Sequence, residues 1–420
     1  MVARWKKREA EAAHHILNAL YGSITPNGGR GFSSQSLEIH QKLHTLESMI
    51  DFPGSPGAID TRETVVRAVG EACNKQDLSA KAFMECINAE IKKSLSRPEE
   101  DYRILTTASI SPRAASGRYK INDVRISGCA DTHFPKKYKS RLDALNQTHV
   151  RGLGLTDQST YHHLVLSVKA KSPLAAMSVG IESLDLLRAC WCIYANPSLS
   201  IGSHERAPIN TVRLGPFHTI HAANGCLAID DPWHEPGFVG CSPFVPSSPN
   251  SDAAFKKCTS RLLARLNSPK MSFDFRQRIA SSLLLFVRAF DEPNPSTAFM
   301  GAWAALERLC LVDQNEGHDK IIERCSILIK DDRLFHRSIL THLRERRNEY
   351  AHDGIISNNA RLLCYQAQSY IKCILSYLIF SANHFASSDD ALRLLSLKPD
   401  PDVIGKEIAA RKFFAKHLLP

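Results

Sequence analysis

Beyond residue 250 the chain is a series of helical patterns, each closed by a short run of breakers. Apolar residues recur at three- and four-residue spacing near 251–267, 272–290, 295–312, 318–331, 333–350 and 358–385, with a last stretch around 403–417. Asp291-Glu-Pro-Asn-Pro, Asn315-Glu-Gly, Asp331-Asp and Asp353-Gly separate them. A helix with one apolar stripe must bury it against another element. Helices of this length joined by short turns predict an antiparallel bundle over 251–420.

The upstream half has a different texture. Residues 3–20 have helical composition, and 21–57, rich in Gly, Ser and Pro, reads as loop. Asp60 with Glu63 three residues later resembles a capping box that opens a helix, and 79–96 is a further helical run. Strand character follows at 102–110, 119–126 and 161–170. Residues 173–195 read as a buried amphipathic helix with Pro173 at its start, and 211–214 and 226–229 as short strands. The Pro- and Ser-rich stretch 242–250 is the best linker candidate. The expected fold is thus an α+β amino-terminal region followed by an all-α helical bundle. Within it, 1–98 is a helical segment, 99–245 a mixed α/β sensor or regulatory region, and 251–420 the bundle.

A chain that is 43% hydrophobic and 23% charged is neither disordered, collagen-like nor a coiled coil. Its formal charge of +10 is uneven, with +8 carried by residues 1–270. The densest basic stretch holds Arg113, Arg118, Lys120, Arg125, Lys136, Lys137, Lys139 and Arg141, with Tyr119, Phe134 and Tyr138 interleaved. Arg113, Arg118, Lys120, Lys136, Lys137 and Lys139 could guide RNA electrostatically. A solvated or partner-binding face fits the same run.

The twelve cysteines include no Cys-x-x-Cys pair, and several sit inside apolar helical patterns. That is how free buried thiols are used, so neither a zinc site nor a disulfide framework is expected, and a reducing cytoplasm is the natural compartment. The basic amino terminus lacks an apolar h-region. The longest apolar stretch, 370–385, is interrupted by Lys372 and too short to span a bilayer. No Walker-type Gly-Lys-Ser/Thr and no Gly-x-Ser-x-Gly elbow occurs. No metal, cofactor or membrane partner is expected. His40 with His44, His162 with His163, and His204, His218, His221 and His234 read as ordinary hydrogen-bonding side chains.

Chemistry gathers at Arg344-Glu-Arg-Arg-Asn-Glu-Tyr-Ala-His-Asp-Gly354. Gly354 supplies a helix stop. Arg344, Asn348 and His352 stand four residues apart and share a face, with Arg347 near its edge. A guanidinium binds phosphate as a fork and keeps its charge. An imidazole titrates near neutrality and carries a proton. RNA supplies its own nucleophile, the 2′-hydroxyl. A site that orients the phosphate, stabilises its developing charge and shuttles one proton can cleave RNA without a metal. The plainer reading is a basic helix end that meets the negative pole of the helix dipole. The spacing Arg-x-x-x-x-His also occurs at Arg213…His218 and Arg337…His342, but neither has an adjacent Asn at a helix end.

Arg347-Asn348-x-x-x-His352 resembles the Arg-polar-x-x-x-His signature of the HEPN superfamily. Ala304-Ala-Leu-Glu-Arg-Leu309 is similar to a Leu-Glu segment of the Apea-like HEPN branch. The resemblance covers roughly 265–390. It implies a helical bundle that dimerises and joins two motifs at a composite cleft. It also implies a metal-independent endoribonuclease of a prokaryotic defence or toxin system, working as a homodimer or higher even oligomer. A constitutive ribonuclease would be toxic, so the amino-terminal region is expected to sense a protein or ligand trigger and to restrain the nuclease. By carry-over, Arg347 contacts the scissile phosphate, His352 is the acid/base group and Asn348 orients one of them. Glu307 positions Arg347 or Arg346, and Arg344 and Arg346 support the site. The other outcome is a HEPN-type bundle that binds RNA or dimerises without cutting.

Overall fold

The computed structural model describes residues 2–6, 9–21, 26–27, 31–32, 37–53, 59–75, 77, 79–129, 133–200, 207–235, 237–313, 315–329, 331–354, 359–396 and single positions between 402 and 412. Most of the helix expected at 403–417, and His204, lie outside them.

Two hydrophobic cores form. The first is made by α1 (Ala10–Tyr21), α2 (Leu37–Ser48), α3 (Thr61–Asn74) and α4 (Ala80–Ser96). The pairings β1 (Arg4–Trp5) with β4 (Ile50–Asp51), and β2 (Pro26–Asn27) with β3 (Gly31–Phe32), accompany these helices. Helix starts follow local chemistry: Asp60 Oδ1 accepts the Glu63 N–H at 2.8 Å, and Ser79 Oγ accepts the Ala82 N–H at 3.1 Å. Helix α2 falls inside the stretch expected as loop. Ile39, Leu43 and Leu46, spaced four and three apart, are all buried. Gly and Ser on either side mask that stripe when composition is averaged over 21–57.

The second core begins with a six-stranded antiparallel sheet of order β10-β9-β5-β8-β7-β6. Its strands are β5 (Glu100–Ala108), β6 (Arg118–Ile121), β7 (Val124–Gly128), β8 (His162–Ala170), β9 (Phe217–Ala222) and β10 (Trp233–His234). The single strand expected at 119–126 is a hairpin, β6–β7, turning at Asn122 and Asp123. Both turn residues have positive φ, 48° and 66°, as a tight two-residue hairpin requires. The strands expected at 211–214 and 226–229 are only isolated bridges at Leu214 and Leu227, while β9 takes the residues between.

One sheet face is covered by α7 (Pro173–Ala195). Gly180 sets how closely the helix lies. A Cβ there would stand 2.2 Å from Ile104 Cδ1 and 3.3 Å from Val168 Cγ2, so a larger residue would force these buried side chains to shift. The other face is partly covered by a 3-10 turn (Lys136–Tyr138), α5 (Ser140–Leu145) and α6 (Thr148–Arg151).

Helices α8 (Pro249–Leu266), α9 (Phe273–Asp291), α10 (Pro295–Cys310), α11 (Asp319–Ile327), α12 (Arg333–Asp353), α13 (Ala360–Ser381) and α14 (Ser388–Leu394) follow. They continue the core that the sheet and α7 begin. The 242–250 segment is accordingly no free linker. The Phe244 N–H donates to Ser109 O and its carbonyl accepts from the Ser111 N–H, both at 2.9 Å. Ser248 and Ser251 then form a reciprocal capping box for α8. Across the seam, buried Arg188 of α7 reaches Asp291 of α9 at 2.8 Å. No helix of the described residues is long and apolar enough to cross a membrane.

Candidate functional site

Helix α12 carries the basic motif. Asp332 opens it, accepting the Phe335 N–H at 3.2 Å. Gly354 ends it at φ +66°, donating to Tyr350 O at 3.2 Å. Only Leu340 and Leu343 are buried on this 21-residue helix, so most of its length faces outward.

Arg347 points inward, to α10. Its Nη2 stands 3.5 Å from Glu307 Oε1, and its Nη1 donates to Asn348 Oδ1 at 3.2 Å. The same Glu307 oxygen accepts from Trp303 Nε1 at 2.8 Å and lies 3.0 Å from His318 Nε2. The rings of Trp303 and His318 meet edge to face at 5.7 Å. Arg347, Glu307 and His318 are each about a quarter exposed, so the group is reachable yet screened from bulk water. Arg347 Nε is buried without a hydrogen-bond partner among the described residues.

Three elements converge here: α10 through Glu307 and Trp303, the start of α11 through His318, and α12 through Arg347 and Asn348. His318 was not a candidate from the string. It opens the helical pattern expected at 318–331 and belongs to no motif; only proximity to Glu307 marks it. Nε2 is the nitrogen that faces the carboxylate, and Nδ1 makes no hydrogen bond with a described residue, the arrangement by which a carboxylate orients an imidazole. The loop that delivers His318 is pinned by buried Arg324, which binds Glu316 at 2.6 and 2.8 Å. Glu316 in turn accepts the Val312 N–H at 2.7 Å. The Arg324 hydrogen bonds hold the Glu316 carboxyl below its usual range, against the upward push of burial.

The other motif residues fall elsewhere. Arg344 pairs with Asp319, and Arg346 pairs with Glu349 at 2.6 Å on its own helix. Neither touches Glu307; Arg347 is the arginine that does. His352 is exposed and makes no hydrogen bond or ion pair with a described residue. Five helical residues turn it about 140° from Arg347, so within one chain the two side chains diverge. His352 instead shares an outward stripe with Leu334, Ser338, His342, Glu345 and Glu349.

The basic stretch 113–141 is not one surface. Arg113 binds Asp252 at 3.1 Å, while Arg118 and Lys120 lie on edge strand β6, Lys120 pairing with Asp123 at 2.8 Å. Lys136 and Lys137 belong to the 3-10 turn and Lys139 follows it, near β9. Four strand spacings, roughly 19 Å, separate β6 from β9. Arg141, grouped with the surface cations by sequence, is buried at 2% exposure. It donates to Leu105 O, Phe217 O, Thr219 Oγ1 and Asp157.

The remaining histidines are mostly structural. His218 and His221 are buried in β9. His218 sits between Thr106 Oγ1 and Glu235 Oε1, 2.7 Å from each. His162 and His163 face opposite sides of β8, and burial pushes both imidazoles down. Of the two other Arg-x-x-x-x-His matches, Arg213 caps loop carbonyls, and Arg337 and His342 are exposed on α12. Among the described residues no group of three or more His, Cys, Asp or Glu is arranged to hold a metal ion.

No protein-family model matches the chain, and no curated protein and no solved structure matches it.

Proposed function

We propose that the chain is a metal-independent endoribonuclease acting as a homodimer through Arg347, Asn348 and His352. The single observation that carries this reading is the Glu307 carboxylate, which holds Arg347 at the open end of α12 and orients His318 beside it. Arg347 offers a fixed guanidinium to a phosphodiester, with Asn348 bracing it from the same turn.

In the reaction the RNA 2′-oxygen attacks phosphorus and loses its proton to an imidazole. Arg347 stabilises the charge that builds on the non-bridging oxygens. The bond from phosphorus to the 5′-oxygen breaks, and that oxygen takes a proton from a second imidazolium. The products are a 2′,3′-cyclic phosphate and a 5′-hydroxyl. Because His352 and Arg347 diverge in one chain, His352 serves the phosphate held by a second copy, and His318 serves its own. The stripe that bears His352 begins at Leu334, with Phe335 beside it, exposed at 78% and 55%, and that apolar start is the contact for the second copy. The setting proposed for such an activity is prokaryotic defence or growth arrest, with control through the amino-terminal region; the similarity of the Arg347–His352 motif to HEPN proteins supports the setting.

A second reading has its own observation. His352 lacks an orienting partner among the described residues, which suits a module that grips or dimerises on RNA without cutting it. Wild type, Arg347→Ala and His352→Ala, incubated with total RNA in EDTA, separate the two. Cleavage by wild type alone supports the enzyme. Equal cutting by all three, or RNA binding without product in all three, overturns it.

A further inference from the structure

A cleft of about 420 Å³ lies between hairpin strand β6 and helix α8, at the seam of the sheet and the helical bundle. It is separate from the Glu307 cluster. Its charged lining is entirely cationic: Arg118, Lys120 and Lys256 contribute, and no Asp or Glu does. Lys120 and Lys256 are held in place by Asp123 and Asp252 at 2.8 and 3.1 Å. Arg118 has no hydrogen-bond or ion-pair partner for its guanidinium among the described residues, which leaves all its donors for a ligand.

Two further observations point to an occupant. Thr259 is 2% exposed, lines the cleft, and its Oγ1 has no hydrogen-bond partner among the described residues. A buried hydroxyl left unpaired costs about 1–3 kcal/mol, so such groups normally have a use. Gly117 at the rim has φ +149°, and a Cβ there would press on the Tyr119 ring at 3.3 Å, so the backbone is kept bare beside the aromatic wall. The walls are fixed: the Asn267 side chain donates to Lys120 O at 2.8 Å, tying the end of α8 to β6.

The geometry points to a binding site for a mononucleotide, a phosphate monoester with a flat apolar body. Arg118 and Lys256 take the phosphate, Thr259 and Ser260 supply hydroxyls, and the base lies along Tyr119 and Leu263. The volume falls in the usual range for small-molecule sites, about 300–1,000 Å³. This site stands independently of the nuclease reading.

Calorimetric titration of the full chain with adenosine and uridine 5′-monophosphate tests it. Inorganic phosphate, adenosine and a short oligouridylate are the comparison ligands. The mononucleotides bind, adenosine binds at least tenfold more weakly, and Arg118→Gln and Lys256→Gln each weaken binding about tenfold, as loss of one charge-assisted hydrogen bond dictates. Lys257→Gln, on the exposed side of α8 and outside the lining, leaves binding unchanged, and so does Arg347→Ala. No nucleotide binding at millimolar concentration overturns the proposal. So does equal affinity for inorganic phosphate, binding by the oligonucleotide alone, or binding that Arg118→Gln and Lys256→Gln leave intact.

Discussion

His318 Nε2 lies 3.0 Å from Glu307 Oε1, the same oxygen that faces Arg347. One carboxylate therefore couples a permanent cation on α12 to a titratable ring at the head of α11. Replacing His318 with Ala is expected to lower the cleavage rate by about 10²-fold while RNA affinity holds, the usual loss for one acid/base group. His318→Ala should also remove one limb of the pH–rate profile. Rates and a pH profile equal to wild type would exclude His318 from the reaction.

The Arg324–Glu316 pair should govern stability as well as the position of His318. Arg324 is 2% exposed and Glu316 21% exposed at the side chain. Removing Arg324 leaves a carboxylate without its buried partner, so Arg324→Met is expected to cost about 3–5 kcal/mol in urea denaturation at pH 7. The pH dependence has a definite sign. The Glu316 carboxyl is held below its ordinary value of 4.5 in the folded chain. Its contribution is therefore full above that value and is lost as pH falls through the lowered one. Glu316→Gln should flatten this part of the acid limb; an unchanged acid limb would contradict it.

Arg141 and the lysines next to it should behave oppositely. Arg141→Met strips three hydrogen bonds from the sheet and strands Asp157, so a loss of several kcal/mol is expected. Lys136→Gln, Lys137→Gln and Lys139→Gln together should stay within about 0.5 kcal/mol per site. Chemical denaturation of the two variants checks the contrast. A neutral Arg141→Met would mean that the guanidinium is not the sheet's internal tie.

The proposed dimer is tested at the exposed head of α12. Leu334→Asp with Phe335→Asp should turn the dimer into a monomer in sedimentation and abolish cleavage. The melting temperature at low protein concentration should not fall, because both side chains are exposed at 78% and 55%. A dimer that persists would place the contact elsewhere.

Much of this fold is legible locally. Asp60, Ser79 and Gly354 act on atoms within four residues of themselves, so helix boundaries at 61, 80 and 353 follow from short-range rules. Local reading failed where the deciding partner was distant. Strand β9 escapes because His218 and His221 look polar, and their partners, Thr106, Glu235 and Gly225, are supplied by other segments or by the following turn. Helix α14, seven residues long, is too short for periodicity to show.

The order of the amino acids alone set the start of α12 near 333 and put Arg347, Asn348 and His352 on the turns before the Gly354 stop, although the helix runs three residues past the 350 expected from periodicity. It also settled that a bundle must follow residue 250, because each apolar stripe needs a partner. Tertiary packing alone decided that Glu307 reaches Arg347, that His318 joins them, that His352 faces away, and that Arg141 lies inside the sheet layer. These outcomes depend on which helices meet and at what angle. A carboxylate or guanidinium reads the same in the string whether water or another element will surround it.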